Sequence, residues 1–323
     1  MIISVILFAV GLVLLIKGGD WFVDGATGIA RRFHLPDIVV GATVVSIGTT
    51  LPEVMVSTTG ALQGSGAMAY GNAIGSIICN TALIAAISIV CNPGPVNVKS
   101  MKTPAIFFFG SAGLYCLAAY LLGEFPRWMG FVMFSIFVVY LVMTVRNGMK
   151  NPDADGDEEE QAQPKPLWKE LALLVVGAAV IAVGADLLVE HGQVIAINLG
   201  VPETVVALLF VALGTSLPEL VTTITSLKKG RASLGVGNVI GANVFNLVLV
   251  SGVAVSLAPF PVPAENTLLN TGLNLSLVFD IPVMLGVMSL MIFPTLAMKK
   301  LSRWQGIILL AIYAAFVVFQ FVL

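Results

Sequence analysis

The chain has 323 residues, 58% of them hydrophobic and only 11% charged, with a formal net charge of −2 and a mean hydropathy of +0.99. A soluble domain carries about 25% charged residues, so a soluble enzyme and a nucleic-acid binder are both excluded. Three cysteines (Cys79, Cys91, Cys116) without metal-ligand spacing and two isolated histidines (His34, His191) argue against a disulfide framework or a transition-metal centre.

Apolar stretches of bilayer-crossing length, about 20 residues, are expected at 2–30, 36–61, 68–90, 103–122 and 128–146. After a polar break they resume at 168–196, 202–226, 233–258, 276–297 and 303–323. The first stretch has no basic n-region and no clear small-residue cleavage site, so it reads as a spanning helix rather than a signal peptide. The break, 147–166, holds Asp153, Asp155, Asp157, Glu158, Glu159 and Glu160 and reads as a solvated linker in preference to a Ca2+ sensor. The fold class is therefore an all-α integral membrane protein of about ten transmembrane helices. Two five-helix repeats, 1–146 and 167–323, flank the acidic linker.

The halves are related in sequence. Glu219 follows Glu53 by 166 positions, and the same offset pairs Gly48 with Gly214, Pro52 with Pro218, Gly71-Asn72 with Gly237-Asn238, Gly75 with Gly241 and Asn80 with Asn246. It also pairs Gly18 with Gly184, Asp20 with Asp186 and Asp24 with Glu190, without a gap. One register kept through so many uncommon residues marks a duplication. Fourteen of the sixteen basic residues fall on alternate loops, Lys17 and Arg127 being the exceptions. Because Lys and Arg accumulate in cytoplasmic loops, both termini are expected outside and the linker in the cytoplasm of a multi-pass cell-membrane protein. An odd number of helices per half then inverts the second repeat, an architecture of many secondary transporters.

The chemistry concentrates in Gly48-Thr49-Thr50-Leu51-Pro52-Glu53 and its echo Gly214-Thr215-Ser216-Leu217-Pro218-Glu219. An ionisable residue inside a spanning helix is costly and marks a functional site by default. Pro52 and Pro218 lack an N–H and are expected to kink or break their helices, freeing carbonyls that line a cavity or bind a ligand. Thr49 shares a helix face with Glu53, and Thr215, Ser216 and Glu219 repeat the arrangement. Two carboxylates with several neutral oxygens suit a hard cation such as Ca2+, and Na+ ions bring the same charge balance. Asn80 and Asn246, closing the Gly71–Asn80 and Gly237–Asn246 segments, are expected as neutral neighbours of the ion. Asp20 and Asp186 read either as entrance residues or as structural ones, and Asp280 as a helix-ordering acid near the outer surface.

These paired motifs, GTTLPE and GTSLPE, each followed by GN-x-I-G-x-x-x-x-N, resemble the alpha repeats of the cation/Ca2+ antiporter superfamily, here spanning 41–80 and 207–246. The prokaryotic sodium/calcium exchanger branch is the most similar. The resemblance implies a non-enzymatic antiporter, without cofactor, whose partners are Ca2+, Na+ and the lipid bilayer. It implies Ca2+ binding by Glu53 and Glu219 and by the carbonyls of Thr49 and Thr215. It further implies Na+ sites using Thr50, Ser216 and Ser76 with the carbonyls of Ser46 and Ala212. The first and sixth helices are expected to slide past the rest. Two positions depart from the pattern: Ala242 stands where a serine is frequent, and Asn246 where aspartate is frequent. A H+/Ca2+ exchanger and a passive cation channel are the rival readings; an intramembrane hydrolase lacks any further catalytic constellation.

Overall fold

The computed structural model describes residues 2–150, 166–199, 214–263 and 274–322. Most of the linker expected at 147–166, the first part of the helix expected at 202–226, and Ala212 lie outside the described residues. Backbone polar groups in hydrocarbon must be satisfied within the segment, so apolar runs of this length wind into helices. Nine described helices are long and apolar enough to span: α1 (Ile2–Phe33), α2 (Asp37–Leu62), α3 (Gly66–Cys91), α4 (Val98–Leu122), α5 (Arg127–Met149), α6 (Leu167–Asn198), α8 (Ala232–Leu257), α9 (Ser276–Met298) and α10 (Arg303–Val322). Between α6 and α8 lies α7 (Leu217–Lys228), the described part of the remaining expected helix.

Two small antiparallel pairings show how the halves interlock. Gly94 and Pro95, between α3 and α4, pair with Leu301 and Lys300 between α9 and α10. Phe260 and Pro261, the repeat mates of Gly94 and Pro95, pair with Phe125 and Glu124 between α4 and α5. Each half thus lends the same loop to the other half, at opposite ends of α4, as an inverted two-fold arrangement requires.

Packing divides the helices into two groups. One buried cluster gathers α3, α4, α5, α8, α9 and α10, with Ile38, Val39 and Ala61 of α2, around Ile77, Phe108, Tyr115, Tyr140, Phe245 and Met288. A second joins α1 and α6 through Leu15, Phe22, Val23, Ala26, Ile181 and Ala185, reaching α2 at Val40 and Val45. Helix α8 is the most enclosed, with 83% of its apolar stretch buried, against 22% for α6. The outward side chains of the bundle are themselves apolar, including Ile3, Ile106, Leu121 and Val175, as a lipid-facing surface demands.

Helices α1 and α6 run antiparallel at close range because glycines face backbone. A Cβ on Gly11 would stand 2.9 Å from the Gly184 carbonyl oxygen, and one on Gly25 2.7 Å from that of Glu170. Gly11 and Gly177 are repeat mates, as are Gly18 and Gly184, so one small-residue stripe is used twice.

Ion pairs fix the loop after α7. Lys229 Nζ lies 2.7 Å from Asp24 Oδ1 and donates to the Asp20 carbonyl at 3.0 Å, tying α7 to α1. Arg231 pairs with Asp37 at 3.1 Å, with only 14% and 8% of these side chains exposed. Removing one partner of an exposed pair costs about 1 kcal/mol or less, whereas stranding a buried charge costs about 3 kcal/mol. Arg231→Gln is therefore expected to lower the melting temperature in detergent clearly more than Lys229→Gln; equal losses would contradict this ranking. Asp186 and Glu190, the mates of Asp20 and Asp24, are exposed and make no ion pair among the described residues.

Candidate functional site

The two motifs meet inside the bundle. Helix α2 stays helical from Ser46 through Pro52 to Leu62, so the break that proline was expected to impose is absent in this half. The irregularity falls earlier, in a π-helical stretch at Gly41–Val45 just before the motif. A proline can be carried inside a helix when the carbonyl it leaves without a donor, here that of Gly48, can be accommodated by its surroundings. In the second half Pro218 sits in the first turn of α7, where its missing N–H costs nothing. Thr49, Pro52 and Pro218 line one small void together with Phe22 and Ala178, which places the two motifs beneath α1 and α6.

Glu53 and Glu219 are both 0% exposed. They are close enough for their charges to interact directly, and the Thr49 and Thr50 hydroxyls lie beside the Glu219 carboxylate. None of the four carboxylate oxygens has a hydrogen-bond partner among the described residues. No Lys or Arg pairs with either glutamate there. Paired carboxylates without a counter-charge are expensive to bury, so the pair either takes up protons or holds a cation.

Around them sits a set of equally unpartnered polar atoms. The hydroxyls of Thr50, Ser76 and Ser216 and both amide atoms of Asn80 and of Asn246 are buried without a partner among the described residues. The asparagines start π-helical stretches at matched places, Asn80–Ala85 in α3 and Asn246–Val250 in α8. Such stretches disturb regular backbone bonding and are frequent at functional sites. The Asn80 stretch packs against α7, and the Asn246 stretch against the motif segment of α2. Each asparagine-led stretch thus packs against the glutamate-bearing helix of the opposite half.

Ser46 and Thr215 are expected to act through their backbone carbonyls, so their side chains can serve elsewhere. The Ser46 hydroxyl is used in packing, donating to the carbonyls of Gly41 at 2.7 Å and Asn238 at 2.9 Å. Thr215 is half-buried, and Ala212 lies outside the described residues. A cavity of about 310 Å3 is lined among others by Gly75, Cys79, Ser276, Asp280 and Tyr313. At its floor the Tyr313 hydroxyl points to Cys79 Sγ at 3.8 Å, and Cys79 in turn neighbours Ser216 and both glutamates. Asp280 lines this cavity and accepts from Gln320 Nε2 at 3.3 Å, tying α9 to α10.

The repeat pattern pairs Asn72 with Asn238 without assigning either a role. Asn72 Nδ2 donates to the Glu53 carbonyl at 3.2 Å and to Ser57 Oγ at 2.8 Å, bracing its own half. Asn238 Oδ1 instead accepts from the Thr49 hydroxyl at 3.1 Å, across the halves. A polar residue beside a close-packing glycine was the available signal, and its partners were invisible without the fold.

An all-helical membrane bundle built around a buried pair of acids defines a cation-handling membrane protein. The chain belongs to the sodium/calcium exchanger protein family, matching it over residues 3–146 and 169–322. It is 34% identical to an uncharacterized membrane protein of Methanocaldococcus jannaschii, over 97% of this chain and 96% of that one. It is 30% identical to the sodium/calcium exchanger MaX1 of Methanosarcina acetivorans, over 99% of both chains. Among solved structures it resembles the sodium-calcium exchanger NCX_Mj soaked with Na+ and Sr2+, with a TM-score of 0.82, 32% identity and 98% of each chain covered.

Proposed function

We propose that this protein exchanges Na+ for Ca2+ across the cell membrane by alternating access, with Glu53 and Glu219 as the shared ion site. The observation that carries this reading is the pair of fully buried carboxylates whose four oxygens lack partners among the described residues. One Ca2+ or two Na+ neutralise the pair, so the ions compete for the same oxygens. The proposed cage is completed by Thr49, Thr50, Thr215, Ser216, Ser76, Asn80 and Asn246, with the carbonyls of Ser46 and Ala212. Mg2+ holds its water too firmly for so compact a site.

Sliding of α1 and α6 supplies the alternation in this reading. Their separate apolar cluster and glycine-lined contact support it, because small residues leave few side chains to interlock. Both termini outside and the acidic linker in the cytoplasm complete the proposed topology, on the charge pattern of the loops.

The test is 45Ca uptake into proteoliposomes loaded with Na+. Uptake is expected to follow the outward Na+ gradient and to vanish when the gradient is collapsed. Uptake driven by a proton gradient without Na+ would replace this reading with H+/Ca2+ exchange. Downhill flux indifferent to any counter-ion would replace it with a channel.

A further inference from the structure

One buried polar side chain on α8, a turn before Asn246, has an apolar residue at its repeat position. Asn243 is 0% exposed and stands on α8 one turn before Asn246, and the repeat offset places Ile77 at its equivalent on α3. Its Nδ2 donates to Thr81 Oγ1 at 2.7 Å and to Met288 Sδ at 3.2 Å, while the Thr81 hydroxyl donates to the same sulfur at 3.1 Å. A thioether only accepts, so the amide end facing Met288 must be the NH2 group. That fixes the carbonyl end. Asn243 Oδ1 is buried and has no partner among the described residues. Native proteins seldom leave a buried acceptor unmade. Thr81 follows Asn80 on α3, and Asn243 stands one helical turn before Asn246 on α8, so the Asn243 side chain meets α3 at the start of the Asn80–Ala85 stretch.

We propose that Asn243 Oδ1 is an additional cation ligand, held in position by Thr81 and Met288, and that it serves a Na+ ion rather than Ca2+. The inference rests on the exchanger reading. A subsite furnished by the neutral amides of Asn80, Asn243 and Asn246 offers oxygens without adding charge. Removing a divalent ion from water demands more compensating charge than removing a monovalent one. Because Ile77 replaces the amide in the first half, this subsite is one-sided, breaking the symmetry of the cage.

The experiment measures Na+-driven 45Ca uptake and Na+-free Ca2+/Ca2+ exchange in proteoliposomes for wild type, Asn243→Leu, Asn243→Asp, Thr81→Val and Met288→Leu. Asn243→Leu is expected to raise the Na+ half-saturation about tenfold, the equivalent of about 1.4 kcal/mol, with the Ca2+ half-saturation within about twofold of wild type. Thr81→Val and Met288→Leu, which keep the oxygen but release it, are expected to shift Na+ in the same direction by about threefold. Asn243→Asp keeps an oxygen and adds charge, so it should lower the Na+ half-saturation, and it serves as the test if the leucine variant does not fold. An unchanged Na+ half-saturation in Asn243→Leu, equal shifts for Na+ and Ca2+, or weaker Na+ binding in Asn243→Asp would overturn the inference alone. A wild-type protein indifferent to Na+ would overturn the exchanger reading, and this inference with it.

Discussion

Glu53→Gln and Glu219→Gln are each expected to cut exchange by at least about 30-fold, while leaving the fold intact. Glutamine preserves the size of the side chain and one oxygen but removes a charge from a pair that has no basic partner among the described residues. Losing one desolvated member of a charge-assisted contact costs about 2–5 kcal/mol, which is a factor of about 30 to several thousand in binding. Stability in the absence of ions should move the other way. The ion-free protein buries two like carboxylates with no partner among the described residues, so deleting one charge relieves a penalty. The melting temperature without divalent ions should therefore stay level or rise, and the upward shift produced by Ca2+ in wild type should disappear. Retained uptake in Glu53→Gln, or a Ca2+-induced shift that survives in both variants, would remove the ground for a shared carboxylate site.

The second large effect is structural. Gly241→Val is expected to prevent α2 and α8 from docking, giving little monodisperse protein and no transport. A Cβ at Gly241 would stand 2.6 Å from the Ala42 Cα and 2.7 Å from its carbonyl oxygen, and would overlap Ser46 Oγ. Backbone cannot rotate aside as a long side chain can. Overpacking therefore costs at the upper end of the usual range, about 3 kcal/mol, and even Gly241→Ala should cost about 2 kcal/mol. The same contact carries the Ser46 and Thr49 hydrogen bonds to Asn238, so the damage reaches the motif directly. Gly286→Ala is the control, since its side-chain position on α9 is exposed and open. It should be neutral or stabilising by up to about 1 kcal/mol, because alanine is the better helix former. Melting temperature and size-exclusion profile compare the three, and a well-behaved Gly241→Val would contradict the close-approach argument.

The amino-acid sequence by itself determined that the chain is a membrane bundle, because runs this apolar and this long have one stable solution in lipid. It determined the duplication through the shared register of Glu53 with Glu219 and of Asn80 with Asn246, and it singled out the glutamates because charge is costly there. The expected spans agree with nine of the described helices to within a few residues at most ends. Only the tertiary structure decided where the backbone irregularity falls: helix runs on through Pro52, and π-helical turns sit at Gly41–Val45, Asn80–Ala85 and Asn246–Val250, as well as at Ala118–Leu122 and Ser276–Asp280. It also decided that Asn72 braces its own half while Asn238 receives bonds from the other, and that Asn243 leans on Thr81 and Met288. Two repeats of one motif look alike along the chain. Which of their polar atoms become engaged depends on neighbours up to 234 positions away, and a local pattern carries no information about them.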